Sequence, residues 1–569
     1  MSWPLKKKAR ALVEGEDGVV RKDWGGRVSV ALVYPNTYAV GMSNLGFQTI
    51  YEHLNTLPYA VCERVFFPDP EDVDEYARTG TAPFSLESQR PLTDFDLVGF
   101  SITYEGDYIN VARLLRMAGL PLRAARSAPD RPRGADGWRV RLLNPEPMAP
   151  FMDAIVVGEG EEAVTELIDA YRAAQDGDGE SRRRRVIEGW KPLAGVYVPD
   201  AYGVAYAADG RIDCRDARRR VRARRGRQAP PHGRQSVRDA VHLEDAEGRV
   251  RAHGAPGSRQ GLRARLPILP RGPGLPARRV TGASTRCARR WRRSPRTAAS
   301  ASGWSGACVS DYPWIGDLMK ILDEYGVEVS ISSLRADSLT EDLVASLQRG
   351  GHRTLTMAPE AGTERLREVT RKVISDEQLF AACDLLRRYG IPNLKCYFMI
   401  GLPTETREDV AAIPDLAERM LERLRVPGPD GHPFGKLTLS VSSFVPKPWT
   451  PFQWAAFDDV RSLEEKLEII KRGARRLSVR VVHENPREAG LQALLARGDR
   501  RLADFIEMAA DLDGDWRRAL RGWDGDPAFY TRLRDVSETF PWDHLDVGVR
   551  KTGLLREWQR AGLGEPAAV

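Results

Sequence analysis

One junction between a strand and a loop decides the fold of the second half of the chain: residues 394–406 read LKCYFMIGLPTET. The apolar run that ends at Ile400 is typical of a strand covered on both faces, and Gly401-Leu402-Pro403 ends it. The residues 404–406 that follow are of the kind that begins a helix. The stretch therefore predicts a buried parallel strand that leads into a helix.

The same strand–helix unit repeats on both sides of this junction. Strands are predicted at residues 327–332, 354–358, 394–400 and 437–444, with helices at 315–325, 340–348, 376–389 and 407–424. Repeated units of this kind form parallel barrels, whose functional residues lie at the carboxyl ends of the strands. We therefore predict a full or partial barrel over residues 304–455.

A second array of alternating elements precedes the barrel. Strands are predicted at residues 27–35, 96–102 and 153–158, with helices at 45–54, 111–115 and 163–171. Residues 28–200 are therefore expected to form a doubly wound parallel sheet, with ligands at its strand carboxyl ends. Residues 1–27 form an N-terminal extension, and residues 456–569 are predicted to be a mostly helical C-terminal region.

The net charge of +7 comes from one segment. Residues 211–300 contain 25 Arg, 6 acidic residues and no Lys, Phe, Tyr, Met or Asn, so the rest of the chain is net acidic. No helical or strand periodicity runs through this segment, and it offers no hydrophobic face. We call residues 201–303 the arginine-rich segment; a nucleic-acid partner, if one existed, would have to bind there.

Polar residues follow several of the predicted barrel strands. Glu360 ends the strand at 354–358, where a carboxylate can bind a ribose diol or an ammonium group, or can complement a helix N-terminus. Gly401 lets a ligand approach the backbone. Three units, at residues 357–367, 395–406 and 442–452, resemble in their order and spacing the core of radical S-adenosylmethionine (SAM) enzymes, in the branch that holds the methylthiotransferases and the cobalamin-domain proteins.

The resemblance implies an α/β fold: a cobalamin-binding-like N-terminal sheet, a partial (β/α)6 TIM-like barrel and a helical C-terminal region. It implies SAM and a 4Fe–4S cluster as cofactors, and an electron donor such as flavodoxin or ferredoxin. His53 is the only histidine of residues 28–200 and does not belong to an Asp-x-His-x-x-Gly pattern, which argues against cobalamin. The residues that the resemblance assigns to SAM are Ser310, Asp311, Ser333, Arg335, Glu360, Gly401 and Pro403.

The cysteine signature of that family is missing. Its Cys-x-x-x-Cys-x-x-Cys supplies the three thiolates of the cluster. No such spacing occurs among the six cysteines Cys62, Cys214, Cys287, Cys308, Cys383 and Cys396.

A shifted reading frame explains the missing cysteines. Leu262, Leu266 and Leu269 have the required spacing, and each precedes Arg or Pro. A CTG leucine codon followed by an Arg or Pro codon that begins with C contains the cysteine codon TGC one base later. We therefore expect the cluster cysteines near these three positions in a shifted frame, and no metal site in the chain as given.

The leading hypothesis is a radical SAM protein that would start radical chemistry on a substrate by reductive cleavage of SAM, and that is inactive as given. The alternative is a non-catalytic RNA-binding protein that uses residues 211–300. No apolar run is long enough to span a bilayer, and no signal peptide precedes the first domain, so we expect a cytoplasmic protein without a membrane partner.

Overall fold

The computed structural model describes residues 2–16, 18–124, 144–174, 181–216, 221–222, 301–304, 328–331, 334–427 and 433–564. The strands are β1 (Val28–Tyr34), β2 (Ala60–Phe66), β3 (Leu97–Phe100), β4 (Ile155–Val156), β5 (Val196–Tyr197), β6 (Gly203–Tyr206), β7 (Ile212–Asp216), β8 (Val221–Arg222), β9 (Ala301–Trp304), β10 (Glu328–Ile331), β11 (Thr354–Glu360), β12 (Asn393–Ile400), β13 (Lys436–Ser443), β14 (Arg480–His483) and β15 (Leu545–Asp546).

The helices alternate with these strands as far as residue 424 and dominate the chain after β14. They are α1 (Trp3–Glu14), α2 (Tyr38–Met42), α3 (Leu45–Thr56), α4 (Val73–Thr79), α5 (Asp107–Met117), α6 (Gly160–Ala173), α7 (Arg182–Trp190), α8 (Glu341–Arg349), α9 (Glu364–Val369), α10 (Asp376–Arg388), α11 (Arg407–Leu424), α12 (Val460–Arg476), α13 (Pro486–Arg497), α14 (Leu502–Asp511), α15 (Trp516–Gly522), α16 (Pro527–Thr531) and α17 (Lys551–Arg560).

The N-terminal array forms a parallel sheet with strand order β2-β1-β3. Strand β2 was not expected, because Glu63 and Arg64 interrupt its apolar pattern. Both side chains are nevertheless buried. Arg64 donates to Glu16 (2.7 Å) and to Glu87 (2.6 Å), so its charge is compensated inside the domain.

Two further elements of the N-terminal half differ from the expectation. The segment 153–158 was predicted as a third parallel strand. Its strand β4 instead pairs antiparallel with β5 and is not hydrogen-bonded to the sheet. The N-terminal extension begins with α1, whose Leu5, Ala9 and Val13 recur every fourth residue and pack into the core behind β1.

The second half contains six parallel strands in chain order. Strands β11 to β14 form one parallel sheet, and β9 pairs parallel with β10. A bridge between Leu334, just after β10, and Met357 of β11 links the two groups. This arrangement confirms the α/β fold with a partial six-stranded barrel and a helical C-terminal region. The sheet also continues past residue 455, because β14 extends it.

Three hydrophobic cores hold these layers together. One lies between the β1–β3 sheet and α1, α3, α6 and α7, and another between the barrel strands and α8, α10, α11 and α12. The third joins Val33 and Phe100 of the N-terminal sheet to Ala361, Leu402 and Phe444. Because these last three residues follow β11, β12 and β13, the carboxyl ends of the barrel strands share one hydrophobic core with the N-terminal sheet. Among the described residues, no helix is both long and apolar enough to cross a membrane.

Candidate functional site

The carboxyl ends of β11, β12 and β13 lie side by side, because these strands are adjacent and parallel. Glu360, Gly401 and Pro403 therefore lie at one edge of the sheet, as the sequence predicts. Arg335 follows the bridge at Leu334, next to β11. The other predicted positions lie outside the described residues: Leu262, Leu266, Leu269, Ser310, Asp311 and Ser333.

Glu360 is fixed by an internal cation. Lys372 Nζ lies 2.6 Å from Glu360 Oε1, and the two side chains are 7% and 16% exposed, respectively. Among the described residues, no side chain or backbone group donates a hydrogen bond to Oε2 of Glu360. The backbone of Glu360 has a φ of 73°, which is rare outside glycine. The carboxylate is thus held in one position with one oxygen available to a ligand.

The buried guanidinium of Arg367 holds the loop that carries Lys372 in place. Arg367 of α9 donates to the carbonyl oxygens of Ile374 (2.8 Å) and Ala361 (3.2 Å) and forms an ion pair with Asp376. The loop after β11 is therefore wrapped around one charged side chain. Sequence reasoning missed this residue, because an arginine in an amphipathic helix is normally exposed.

Gly401 and Pro403 belong to a loop held by Glu405. Oε2 of Glu405 accepts hydrogen bonds from Gly401 N and from Lys466 Nζ, both at 2.7 Å. Burial raises the pKa of Glu405, and the charge of Lys466 opposes that rise. Gly401 has a φ of 80°, and a Cβ there would lie 2.8 Å from Leu463 Cδ2. Packing against α12 therefore accounts for this glycine.

Asp409 of α11 ties the loops after β11 and β12 together. It accepts from Thr363 Oγ1 (2.5 Å) and Thr406 N (2.9 Å), and it pairs with Arg365. Burial opposes ionisation of Asp409, but these hydrogen bonds outweigh it and lower its pKa. Gly362 lets the first loop approach α11, since a Cβ there would lie 2.6 Å from a backbone nitrogen.

Arg335 is oriented by the carboxylate of Asp337. Its Nε lies 2.9 Å from one carboxylate oxygen of Asp337, and Nη2 lies 2.5 Å from the other. This two-point contact fixes the orientation of the guanidinium.

The N-terminal sheet has its own strand-end crevice. The order β2-β1-β3 places a topological switch point between β1 and β3, where sheets of this type bind ligands. Tyr34 and Thr103 meet across it with their hydroxyl oxygens 2.7 Å apart. Asn36 Nδ2 donates to Asp107 (2.9 Å), and burial raises the pKa of Asp107 to about 6.

The two strand-end edges face each other. Glu105, which follows β3, contacts Lys447, which follows β13, at 2.5 Å. Next to this pair, Tyr104 is 45% exposed. Burial of part of its side chain and the nearby charges of Glu105, Glu484 and Glu488 raise the pKa of Tyr104 to about 12. The ion pair therefore lies beside a partly exposed tyrosine and several acidic side chains.

His53 lies away from both edges. Its Nε2 is 2.9 Å from Thr165 Oγ1, between α3 and α6, and burial lowers its pKa. His544 of the C-terminal region is also buried, with its ring beside Tyr197 and Tyr202. Both histidines are thus packing residues of their helices and loops.

The thiols that the structure describes do not form a metal site. Cys62, Cys383 and Cys396 are free and buried, and burial raises the pKa of each, so they are protonated. In the described part of the chain, no group of three or more His, Cys, Asp or Glu residues could hold a metal ion. Among the described residues, therefore, no three thiols lie together as the ligands of a 4Fe–4S cluster must.

Similar proteins include one curated relative that spans most of the chain. It is the uncharacterized protein MJ0966 of Methanocaldococcus jannaschii, 27% identical over 493 residues that cover 84% of this chain and 91% of the relative.

Solved structures that are similar to this chain include two radical SAM enzymes. TsrM from Kitasatospora setae, with cobalamin and a 4Fe–4S cluster bound, is 14% identical, covers 75% of this chain and 74% of its own, and has a TM-score of 0.38. The cobalamin-dependent enzyme OxsB is 12% identical, covers 94% and 79%, and has a TM-score of 0.41. Scores this low do not carry a ligand or a reaction over to this chain.

Two family models match segments of the chain. Residues 46–199 match the model described as radical SAM proteins, N-terminal, and residues 300–417 match the radical SAM superfamily. The first match covers most of the β1–β3 domain and the second covers β9 to β12. Together, the two matches support a radical SAM superfamily protein.

Proposed function

We propose that this chain is the scaffold of a radical SAM enzyme that, with the sequence given, does not cleave SAM. The observation that carries the proposal is the absence of Cys-x-x-x-Cys-x-x-Cys from a chain whose barrel is otherwise formed. Without three thiolates no cluster is held, and without a cluster no electron reaches SAM. Three of the residues that we propose for SAM, Glu360, Gly401 and Pro403, lie at the described strand ends.

We further propose that the arginine-rich segment is a translation of the wrong reading frame. The first family match ends at residue 199 and the second begins at residue 300, so neither covers the residues between these two positions. The unmatched residues overlap the arginine-rich segment, whose bounds of 201–303 are our prediction from the sequence. In the shifted frame, the positions of Leu262, Leu266 and Leu269 would supply the three cysteines just before β9.

SAM itself would bind at the carboxyl edge of the barrel. We assign its ribose hydroxyls to the free oxygen of Glu360, because an ionised carboxylate is a strong acceptor for two neighbouring hydroxyl groups. Arg335 and the backbone of residues 401–403 would lie beside it, with Ser310, Asp311 and Ser333 completing the set that the family pattern implies.

Cobalamin has less support in this chain. TsrM and OxsB are described with cobalamin, and the crevice between β1 and β3 is where a ligand of such a sheet would sit. His53 lies instead between two helices, so we propose that no histidine of this domain binds a cobalt ion. Titration with hydroxocobalamin, followed by its visible spectrum, tests this: a spectrum that reports histidine ligation would contradict it.

The test of the proposed function compares two genes. One encodes the chain as given, and the other is corrected by a compensating frame change on each side of the segment. Each protein is reconstituted with iron and sulfide without oxygen and is given SAM with dithionite, or with flavodoxin or ferredoxin as the donor. We expect 5′-deoxyadenosine from the corrected protein only. Equal product from both, or none from either, would contradict the proposal.

The RNA-binding alternative gains no support from the described residues. Binding of a labelled RNA pool at physiological salt by the given chain, and not by the corrected one, would favour it.

A further inference from the structure

The inner face of the barrel sheet is polar. Along β12, the residues at every second position from Leu394 to Ile400 are buried against the helices, while the side chains between them point into the barrel. A barrel interior is normally filled by layers of branched apolar side chains. Here the inward positions of β12 and β13 are Asn393, Lys395, Tyr397, Met399, Lys436, Thr438, Ser440 and Ser442.

Three hydrogen-bond donors occupy neighbouring positions at mid-height on this face, on Lys395, Tyr397 and Ser440. Lys395 Nζ lies 4.7 Å from the centre of the Tyr397 ring, so the side chain extends along the strand toward its carboxyl end. Tyr397 is 38% exposed, and Ser440 is its direct partner on β13. Within the part of the chain that the structure describes, none of these three side chains forms a hydrogen bond or an ion pair.

The charge of this face is positive. Lys395 and Arg480 occupy the same row of the sheet with Thr438 between them, about 10 Å apart across two strand spacings. The inward positions of β12, β13 and β14 include no acidic residue. Glu360, at the edge of β11, is already neutralised by Lys372. Lys395 forms no ion pair with a described residue, and an ammonium group without an ion-pair partner favours an anionic ligand.

We propose that the substrate of this barrel carries an anionic group, a phosphate or a carboxylate, that binds to Lys395, Tyr397 and Ser440. The ammonium supplies the charge, and the two hydroxyl groups donate to separate oxygens of the anion. This inference rests on the proposed function only in placing the substrate inside the barrel. It requires neither a cluster nor SAM.

Site-specific lysine labelling tests the inference on the full chain. The protein is acetylated with a trace of N-hydroxysuccinimide acetate, and the rate at each lysine is read by mass spectrometry. Inorganic phosphate and malonate are the probes, with chloride at equal ionic strength as the reference. We expect one probe, or both, to slow labelling of Lys395 but not of Lys7, which is exposed on α1. The effective probe distinguishes a phosphate substrate from a carboxylate substrate.

Two variants test the residues of the proposed site. Tyr397→Phe keeps the ring beneath Lys395 and removes one donor, so the probe concentration that protects Lys395 should rise about tenfold. Lys471→Gln, in an exposed pair with Glu468, should leave protection unchanged.

Equal labelling of Lys395 with and without both probes would overturn the anion site, as would protection unaltered by Tyr397→Phe. Because no cluster takes part in this labelling, these outcomes leave the proposed function to be judged by its own assay.

Discussion

Lys447 Nζ lies 2.5 Å from Oε1 of Glu105, and this ion pair joins the carboxyl edges of the two parallel sheets. The side chains are only 18% and 16% exposed. Gln492 Nε2 of α13 also donates to Glu105, at 2.9 Å. One carboxylate thus receives hydrogen bonds from the loop after β13 and from a C-terminal helix, so it holds the strand ends of both domains in a fixed relation.

Removing one partner should loosen this contact. Lys447→Met leaves Glu105 with only Gln492 as its polar partner, so we expect a loss of about 1 to 2 kcal/mol, seen as a lower Tm by calorimetry. The matched control is Lys471→Met, which breaks the exposed pair with Glu468 and should cost less than about 0.5 kcal/mol. Equal effects of the two variants would show that the Glu105 contact does not stabilise the domain arrangement.

Asp107 should make stability depend on pH. Burial raises its pKa to about 6, above the value of roughly 3.9 in an unfolded chain. Between these values the native state keeps a proton that the unfolded state has lost. The stability that Asp107 contributes should therefore be fully present below pH 4 and should fall by about 2 to 3 kcal/mol as the pH rises through 6.

Asp107→Asn tests this origin, because the amide cannot ionise. Relative to the parent, the variant should gain stability as the pH rises from 4 to 7, as measured by Tm at each pH. Asp74→Asn, on the exposed face of α4, serves as the control. A parallel pH profile for parent and Asp107→Asn would rule out Asp107 as the source.

Gly362 should not tolerate a side chain. A Cβ would lie 2.6 Å from Ile413 N and 2.7 Å from Ala412 C, and helix backbone of this kind does not give way. Gly362→Ala should therefore cost about 2 kcal/mol or more. Gly553→Ala in α17, where nothing lies within 4 Å, should instead stabilise by about 0.5 to 1 kcal/mol. Thermal melts of both variants check the pair, and no loss for Gly362→Ala would contradict the close packing.

Glu360 should matter for binding of SAM. In the frame-corrected protein, Glu360→Ala removes a charge-assisted hydrogen bond. The binding free energy of SAM should therefore weaken by about 1.5 to 3 kcal/mol, which raises its Kd. The measurement is equilibrium dialysis with labelled SAM. Glu368→Gln, on the exposed side of α9, is the control and should bind as the parent does. Unchanged affinity in Glu360→Ala would remove this residue from the site.

The order of strands and helices could be predicted from the sequence, and much of the site's chemistry could not. The apolar runs that end at Tyr34 and Ile400 predict parallel strands directly, because such strands are covered on both faces. Strand β2 escaped prediction because Glu63 and Arg64 are compensated by residues far away in sequence. Local pattern carries no information about such distant partners.

The same limit applies to the strand-end loops. The sequence places Glu360 and Gly401 at the right edge, but not the cations Lys372 and Lys466 that neutralise Glu360 and Glu405. The sequence predicts that Gly401 lets a ligand approach the backbone. In the structure, a Cβ at this position would meet Leu463 of α12. A side chain that holds a loop in place from another element can be identified only from the three-dimensional structure.

The iron content of the reconstituted protein tests the central claim most directly. The chain as given and the frame-corrected chain are each incubated with iron and sulfide without oxygen, desalted and assayed for iron, with a corrected chain lacking one of the three cysteines as the control. We expect about four iron atoms per corrected chain, as a cluster held by three thiolates requires, and close to none in the other two proteins. A stoichiometric cluster in the chain as given, or its absence from the corrected chain, would contradict the account.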